Sequence, residues 1–346
     1  MRPLPSNIRD RTIGSKFAAV IITLAVFWAP ASGAAAEVVL RLDPHMVKGP
    51  DSCGECHKAS VAAWKQSRHA TSFKTLPRSK KAKEIAKKMG IRRIKAKSSC
   101  LTCHFTSAVP KKRIKAIAGI TCESCHGAGS KWIKLHSDYG GKGVKKDSET
   151  PQHKTKRYAD SEAAGMIRPR RLYSVANNCY QCHTVPNEKL VNVGGHPAGS
   201  AFELVAWSQG EVRHNVWYSK SNDEASADRK RLMYVVGKAL DLEHALRGLA
   251  IATGPGAYAE AMTKRALSAK ADIAKIAGTA KTAEIGSIMA AAGVGLKLGN
   301  AGPLNAAAEK IQAAARKISD GRNGAALAAV DAMMPGADKY KGTVPK

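Results

Sequence analysis

Eight cysteines occur in this chain of 346 residues, and all eight stand in Cys-x-x-Cys pairs followed directly by histidine. The four blocks are Cys53-Gly-Glu-Cys56-His57, Cys100-Leu-Thr-Cys103-His104, Cys122-Glu-Ser-Cys125-His126 and Cys179-Tyr-Gln-Cys182-His183. Such a block attaches haem covalently. Both thiols add across the porphyrin vinyl groups, and the adjoining imidazole becomes the proximal iron ligand. Zinc sites and redox dithiols also use Cys-x-x-Cys pairs, but neither requires a His after each one. The reading is therefore four haem c groups, attached through Cys53, Cys56, Cys100, Cys103, Cys122, Cys125, Cys179 and Cys182, with His57, His104, His126 and His183 on iron. No cysteine is left for a disulfide, a structural zinc or a nucleophile.

The sixth iron position separates a carrier from a catalyst. Seven histidines lie outside the blocks. His69 closes Trp64-Lys-Gln-Ser-Arg-His69, one short helix beyond the first block. His136 closes Trp132-Ile-Lys-Leu-His136, ten residues beyond the third. His196 lies in Gly194-Gly195-His196-Pro197, and His214 in Arg213-His214-Asn215. These four are the expected distal ligands. His45 and His153 read as surface or loop residues, and His244 belongs to a later helical stretch. Met46, Met89 and Met166 are alternative ligands, although Met is more often packing.

The elements that must position these groups fall into three regions. Residues 1–36 read as an export signal. Arg2, Arg9, Arg11 and Lys16 precede an apolar run from Phe17 to Trp28, and Ala34-Ala35-Ala36 offers a cleavage site. An uncleaved anchor is the alternative, but a span needs roughly 20 apolar residues. Residues 37–219 hold every Cys and ten of the eleven His. About 36 residues per haem is too little for separate domains, so the haems must share one core. No alternating apolar run suggests a sizeable sheet. Residues 220–346 are Ala-rich, and their apolar spacing predicts helices over 229–252, 258–276, 282–298, 304–318 and 325–333. The expected fold is mainly α, a multihaem cytochrome c domain with little regular sheet, followed by an Ala-rich helical bundle. That bundle reads equally as a docking or dimerisation element, giving a homo-oligomer, and as a structural appendage.

Two of the blocks, CGECHKASVAAWKQSRHA and GITCESCHGAGSKWIKLH, resemble the tetrahaem cytochrome c-554 family of the bacterial hydroxylamine-oxidation pathway. The order and spacing of the four motifs are also similar, over roughly residues 50–190. The resemblance implies a periplasmic carrier that takes electrons from a multihaem oxidoreductase and passes them towards the quinone or cytochrome pool. It also implies three bis-His haems and one five-coordinate haem. On this chain the five-coordinate one is the haem of Cys100, Cys103 and His104. The chain departs from that pattern in offering both His196 and His214, and the helical tail lies outside the resemblance.

The formal charge is +29. Excess of this size suits an acidic redox partner or an anionic membrane surface. Nucleic acid is discounted, because an exported protein rarely meets it. Two functions follow. The first is periplasmic electron transfer through closely packed haems, with no substrate and no catalytic residue of its own. The second is reduction of nitric oxide, nitrite or hydroxylamine at an open iron on the His104 haem, with nearby proton donors.

Overall fold

The computed structural model describes residues 40–217 and 219–345. The expected signal over 1–36 lies outside them. The described residues form one compact unit.

Short helices come first. They are α1 (Pro50–Gly54), α2 (Lys58–Gln66), α3 (Arg68–Thr75), α4 (Lys80–Lys88) and α5 (Leu101–His104). A two-stranded antiparallel sheet follows, β1 (Thr106–Ala108) against β2 (Lys115–Ala118). Then come α6 (Cys122–His126), α7 (Pro151–Ala163), α8 (Leu172–His183), α9 (Glu188–Asn192) and α10 (Leu204–Ser208). The long helices close the chain: α11 (Ala227–Ala250), α12 (Ala257–Thr279), α13 (Ala283–Ala291) and α14 (Ala301–Gly321). The chain is thus mainly α, with little regular sheet, as the sequence suggests.

Local chemistry sets the ends of these elements. Ser67 and Ser79 accept from the backbone N–H three residues on and start α3 and α4. The basic stretch over 80–97 is helical only to Lys88, because Gly90 turns the chain at φ +68°. The helix expected over 282–298 stops at Ala291, ahead of Gly293 and Gly295. The stretch over 325–333 winds as a 3-10 helix instead of an α-helix.

The core is lopsided. One large cluster joins Leu172, Tyr173, Ala176 and Tyr180 of α8 to α11, α12, α13 and α14. From Leu232 to Leu249, α11 is buried on nearly every side and runs through its middle, enclosed by the other helices. Burial of Leu232, Val235, Leu242, Leu246 and Leu249 contributes on the order of 2 kcal/mol each. The fourth motif, carried on α8, therefore shares its core with residues 220–346, across the boundary read at 219/220. The earlier motifs have no such core. Among the described residues, the buried side chains that cluster there are only Ala86, Ile94, Leu101 and Phe105.

Candidate functional site

Each motif histidine faces one histidine from outside the motifs. The ring centres of His57 and His136 are 6.3 Å apart, and those of His69 and His183 are 6.4 Å apart. His104 and His196 are separated by 6.2 Å, and His126 and His214 by 6.3 Å. Two imidazoles on one metal ion, with metal–nitrogen bonds of about 2 Å, have centres about 6.3 Å apart. The four gaps agree with that spacing. The planes are turned by 23° to 77°, a range that two imidazoles holding one iron would tolerate.

Hydrogen bonds orient the rings. His126 Nδ1 lies 2.9 Å from the Ile167 carbonyl, and His136 Nδ1 lies 2.6 Å from that of Ile133. His196 and His214 do the same with Pro197 and Val212, both at 2.8 Å. A carbonyl can only accept, so each Nδ1 carries the proton and each Nε2 keeps its lone pair for a metal. His183 differs, with its Nδ1 3.0 Å from the Ser200 hydroxyl. Burial holds His104, His126 and His183 near pKa 4 and lowers His57, His69 and His136 as well. Neutral imidazole is the form that binds iron.

The motifs touch in a definite order. The Cys53 and Cys122 thiols lie close enough to perturb each other's ionisation, which brings the first motif beside the third. Asn178, one residue before the fourth motif, donates to the Cys125 carbonyl at 3.0 Å and joins the third to the fourth. Cys103 and Cys182 perturb each other in the same way, which brings the fourth beside the second. These thiols stand where thioether sulfurs would be once haem is attached. Among the described residues, no three His, Cys, Asp or Glu side chains gather as a bare metal ion would need.

Three residues outside the sequence reading brace this arrangement. Glu123, the second residue of the third motif, is 1% exposed. Its carboxylate accepts from the backbone N–H of Lys48, Gly49 and Gly129 at 2.9, 2.8 and 2.7 Å. It therefore ties the third motif to the entry of α1, which carries Cys53. Arg41 donates to Gln181, Cys182 and Asn178 and pins the incoming chain to α8. Trp217, 46% exposed, lies 4.5 Å from His57. Nothing in the sequence pairs these residues with their partners. The only hint is an acid inside a motif.

Two glycines permit close approach. A side chain at Gly119 would meet the His69 carbonyl, and one at Gly127 would meet that of Gly165. The indole N–H groups of Trp132 and Trp207 are buried without a partner, each beside a paired histidine, His136 and His183. Orphaned donors bordering the ring pairs fit a site built for a group with acceptor oxygens, as haem propionates are. The remaining histidines do otherwise. His153 contacts Glu149 at 2.8 Å, and His244 contacts Asn177 at 2.8 Å. His45 is exposed on a turn. Met89 packs against Gly194.

Residues 52–127 match the family model for cytochrome c554 and c-prime. No curated protein and no solved structure matches the chain. The matched stretch contains the first three Cys-x-x-Cys-His motifs and agrees with the resemblance read from the first and third of them. Covalently bound haem c and electron transfer go with that family. Over residues 52–127, the chain is similar to the cytochrome c554 and c-prime family.

Proposed function

We propose that the protein is an exported electron carrier with four covalent haem c groups, each iron held between two histidines. The observation that carries this reading is the set of four facing pairs, His57 with His136, His183 with His69, His104 with His196 and His126 with His214. Every pair joins one motif histidine to one of the four outside histidines singled out by sequence. The His104–His196 pair bears most on function, because a capped iron there leaves no position for a nitrogen oxide.

Haem c supplies a one-electron iron couple, and two histidine ligands keep its potential low relative to Met/His ligation. The chain's residues do the rest. Backbone carbonyls fix the tautomers of His126, His136, His196 and His214, and burial favours the neutral form of His57, His69, His104, His126, His136 and His183. The motif contacts run in the order first, third, fourth, second, which favours one conduit over four modules. Covalent attachment in bacteria occurs outside the cytoplasm, which agrees with the apolar run at Phe17–Trp28. The partner fitting the charge is an acidic redox protein.

The test is a haem assay and a paramagnetic resonance spectrum of the oxidised protein. The expected result is four haems per chain, low-spin ferric signals throughout and no change on adding nitric oxide or cyanide. A high-spin signal that shifts with either ligand would sink the carrier reading and favour a reductase at an open iron.

A further inference from the structure

The cations are not spread evenly. Between residues 80 and 115 the chain has thirteen Lys and Arg against one acid, Glu84. Lys80, Lys81, Lys83, Lys87 and Lys88 are exposed on α4, and Arg92, Arg93 and Lys97 on the segment after it. Lys111, Lys112, Arg113 and Lys115 are exposed on the hairpin between β1 and β2. None of these twelve forms an ion pair with a described residue, whereas Arg231, Lys238, Arg247 and Arg265 of the long helices all do.

Their location gives the charge a use. α4 and the following segment contribute Ala86 and Ile94 to the small core with Leu101 and Phe105, and that core packs against Cys100 and Ala116. The end of α4 also reaches the loop that supplies His196. A side chain at Gly194 would meet Met89, and one at Gly195 would come within 3.4 Å of the Lys88 amine. The cations therefore rim the second motif and the outside histidine facing it. The second motif ends the order of contacts. The stretch entering the first motif, at the other end, has the opposite balance, with Asp43, Asp51 and Glu55 exposed beside Lys48.

We propose that this face, α4 with the β1–β2 hairpin, is the docking surface for an acidic redox protein and makes the His104–His196 end the port through which that partner exchanges electrons. The proposal rests on the carrier reading. Opposed charge fields steer encounter and raise association rates, in a way that salt screens. A membrane surface fits less well. Interfacial binding needs an apolar face beside the cations, and the hairpin exposes only Ile114, at 54%.

The experiment follows reduction of the holoprotein by flavodoxin hydroquinone, an acidic donor, in stopped flow at rising salt. The α4 variant carries Lys81→Glu, Lys83→Glu, Lys87→Glu and Lys88→Glu. A control with the same charge change carries Lys275→Glu, Lys281→Glu, Lys297→Glu and Lys310→Glu. At low salt the α4 variant should react at least about tenfold more slowly and lose most of its salt dependence, while the control stays within about twofold. The corresponding Lys→Gln set should give a smaller loss in the same direction, and it serves as the test if the Glu set loses haem. Equal slowing in both variants, or none in the α4 variant, overturns the proposal. So does a result in which phosphatidylglycerol vesicles bind the wild type and release the α4 variant while flavodoxin rates do not change. Fewer than four haems per chain counts against the carrier reading alone, because the comparison of variants still decides the face.

Discussion

The two ends of this chain are held by different means. From α11 onward, Leu, Ile, Ala and Val side chains fill a continuous interior, and cations such as Arg231, Lys238 and Arg265 sit opposite acids. From residue 40 to about 170, only four buried residues form a hydrophobic cluster among the described residues, and the lysines from 80 to 115 form no ion pair with a described acid. Apolar burial is the dominant favourable term in folding, so the first half must obtain it from something other than side chains. Porphyrin surface is the candidate, because the motif histidines already face partners across gaps of 6.2–6.4 Å. The helical half is built as a protein, and the motif half as a holder.

The largest effect should come from withholding the cofactor. If the comparison holds, chain produced without haem attachment keeps α8 and α11–α14 and loses order before them. Limited proteolysis followed by mass spectrometry should then leave a resistant fragment beginning near Leu172, where the large core begins. Uniform digestion, or uniform resistance, breaks the comparison.

A smaller effect is expected at Glu123, which substitutes for a hydrophobic core in the motif half. Removing its carboxylate leaves three backbone donors, those of Lys48, Gly49 and Gly129, without their acceptor. Glu123→Ala should lower the stability of the holoprotein by about 3 kcal/mol, read from guanidinium unfolding. Glu123→Gln keeps one acceptor oxygen and should cost less. A neutral result for Glu123→Ala would mean that haem alone holds the first and third motifs together.

His244 sharpens the comparison from the other side. It stacks on Tyr180 and bonds to Asn177, where α11 meets the fourth-motif helix. Burial, assisted by Arg247, lowers its pKa to about 4 from 6.5. The unfolded chain therefore takes up a proton that the folded chain refuses. The contribution of neutral His244 is complete above pH 6.5 and is lost as the pH falls towards 4. The ring is part-exposed, so the loss should be about 1–2 kcal/mol. His244→Asn should flatten the slope of stability against pH in that window, measured by unfolding between about pH 4 and 7. An unchanged slope would assign acid sensitivity to the motif half.

Residue type and spacing made much of this legible. The eight cysteines and four motif histidines declare themselves, and so do His69, His136, His196 and His214 as the histidines worth watching. Their pairing was not legible. His69 follows the first motif yet faces His183 of the fourth, and His136 follows the third yet faces His57 of the first. Such crossings depend on long-range chain folding, which no local pattern encodes. The long helices were visible from apolar spacing, with α11 and α12 within a few residues of the expected limits. The boundary at 219/220 followed composition. The core follows contact, and it reaches back to Leu172.

Ser200 is where the two halves meet at a single residue, and the smallest effect is expected there. Its hydroxyl lies 3.0 Å from His183 Nδ1, and its carbonyl accepts from Arg265 of α12, which pairs with Asp241 of α11. An acceptor on Nδ1 enriches the imidazole and favours ferric iron, so removing it should raise the potential. Loss of about 0.5 kcal/mol of that interaction corresponds to about 20 mV for one electron. Ser200→Ala should therefore shift one haem component upward by about that amount in spectroelectrochemistry and leave the others in place. The Arg265 contact survives this substitution because it uses the backbone carbonyl, so the shift reports on the hydroxyl alone. If every component moves together, the helical half acts on the motif half as a whole body. If one component moves, it acts through His183.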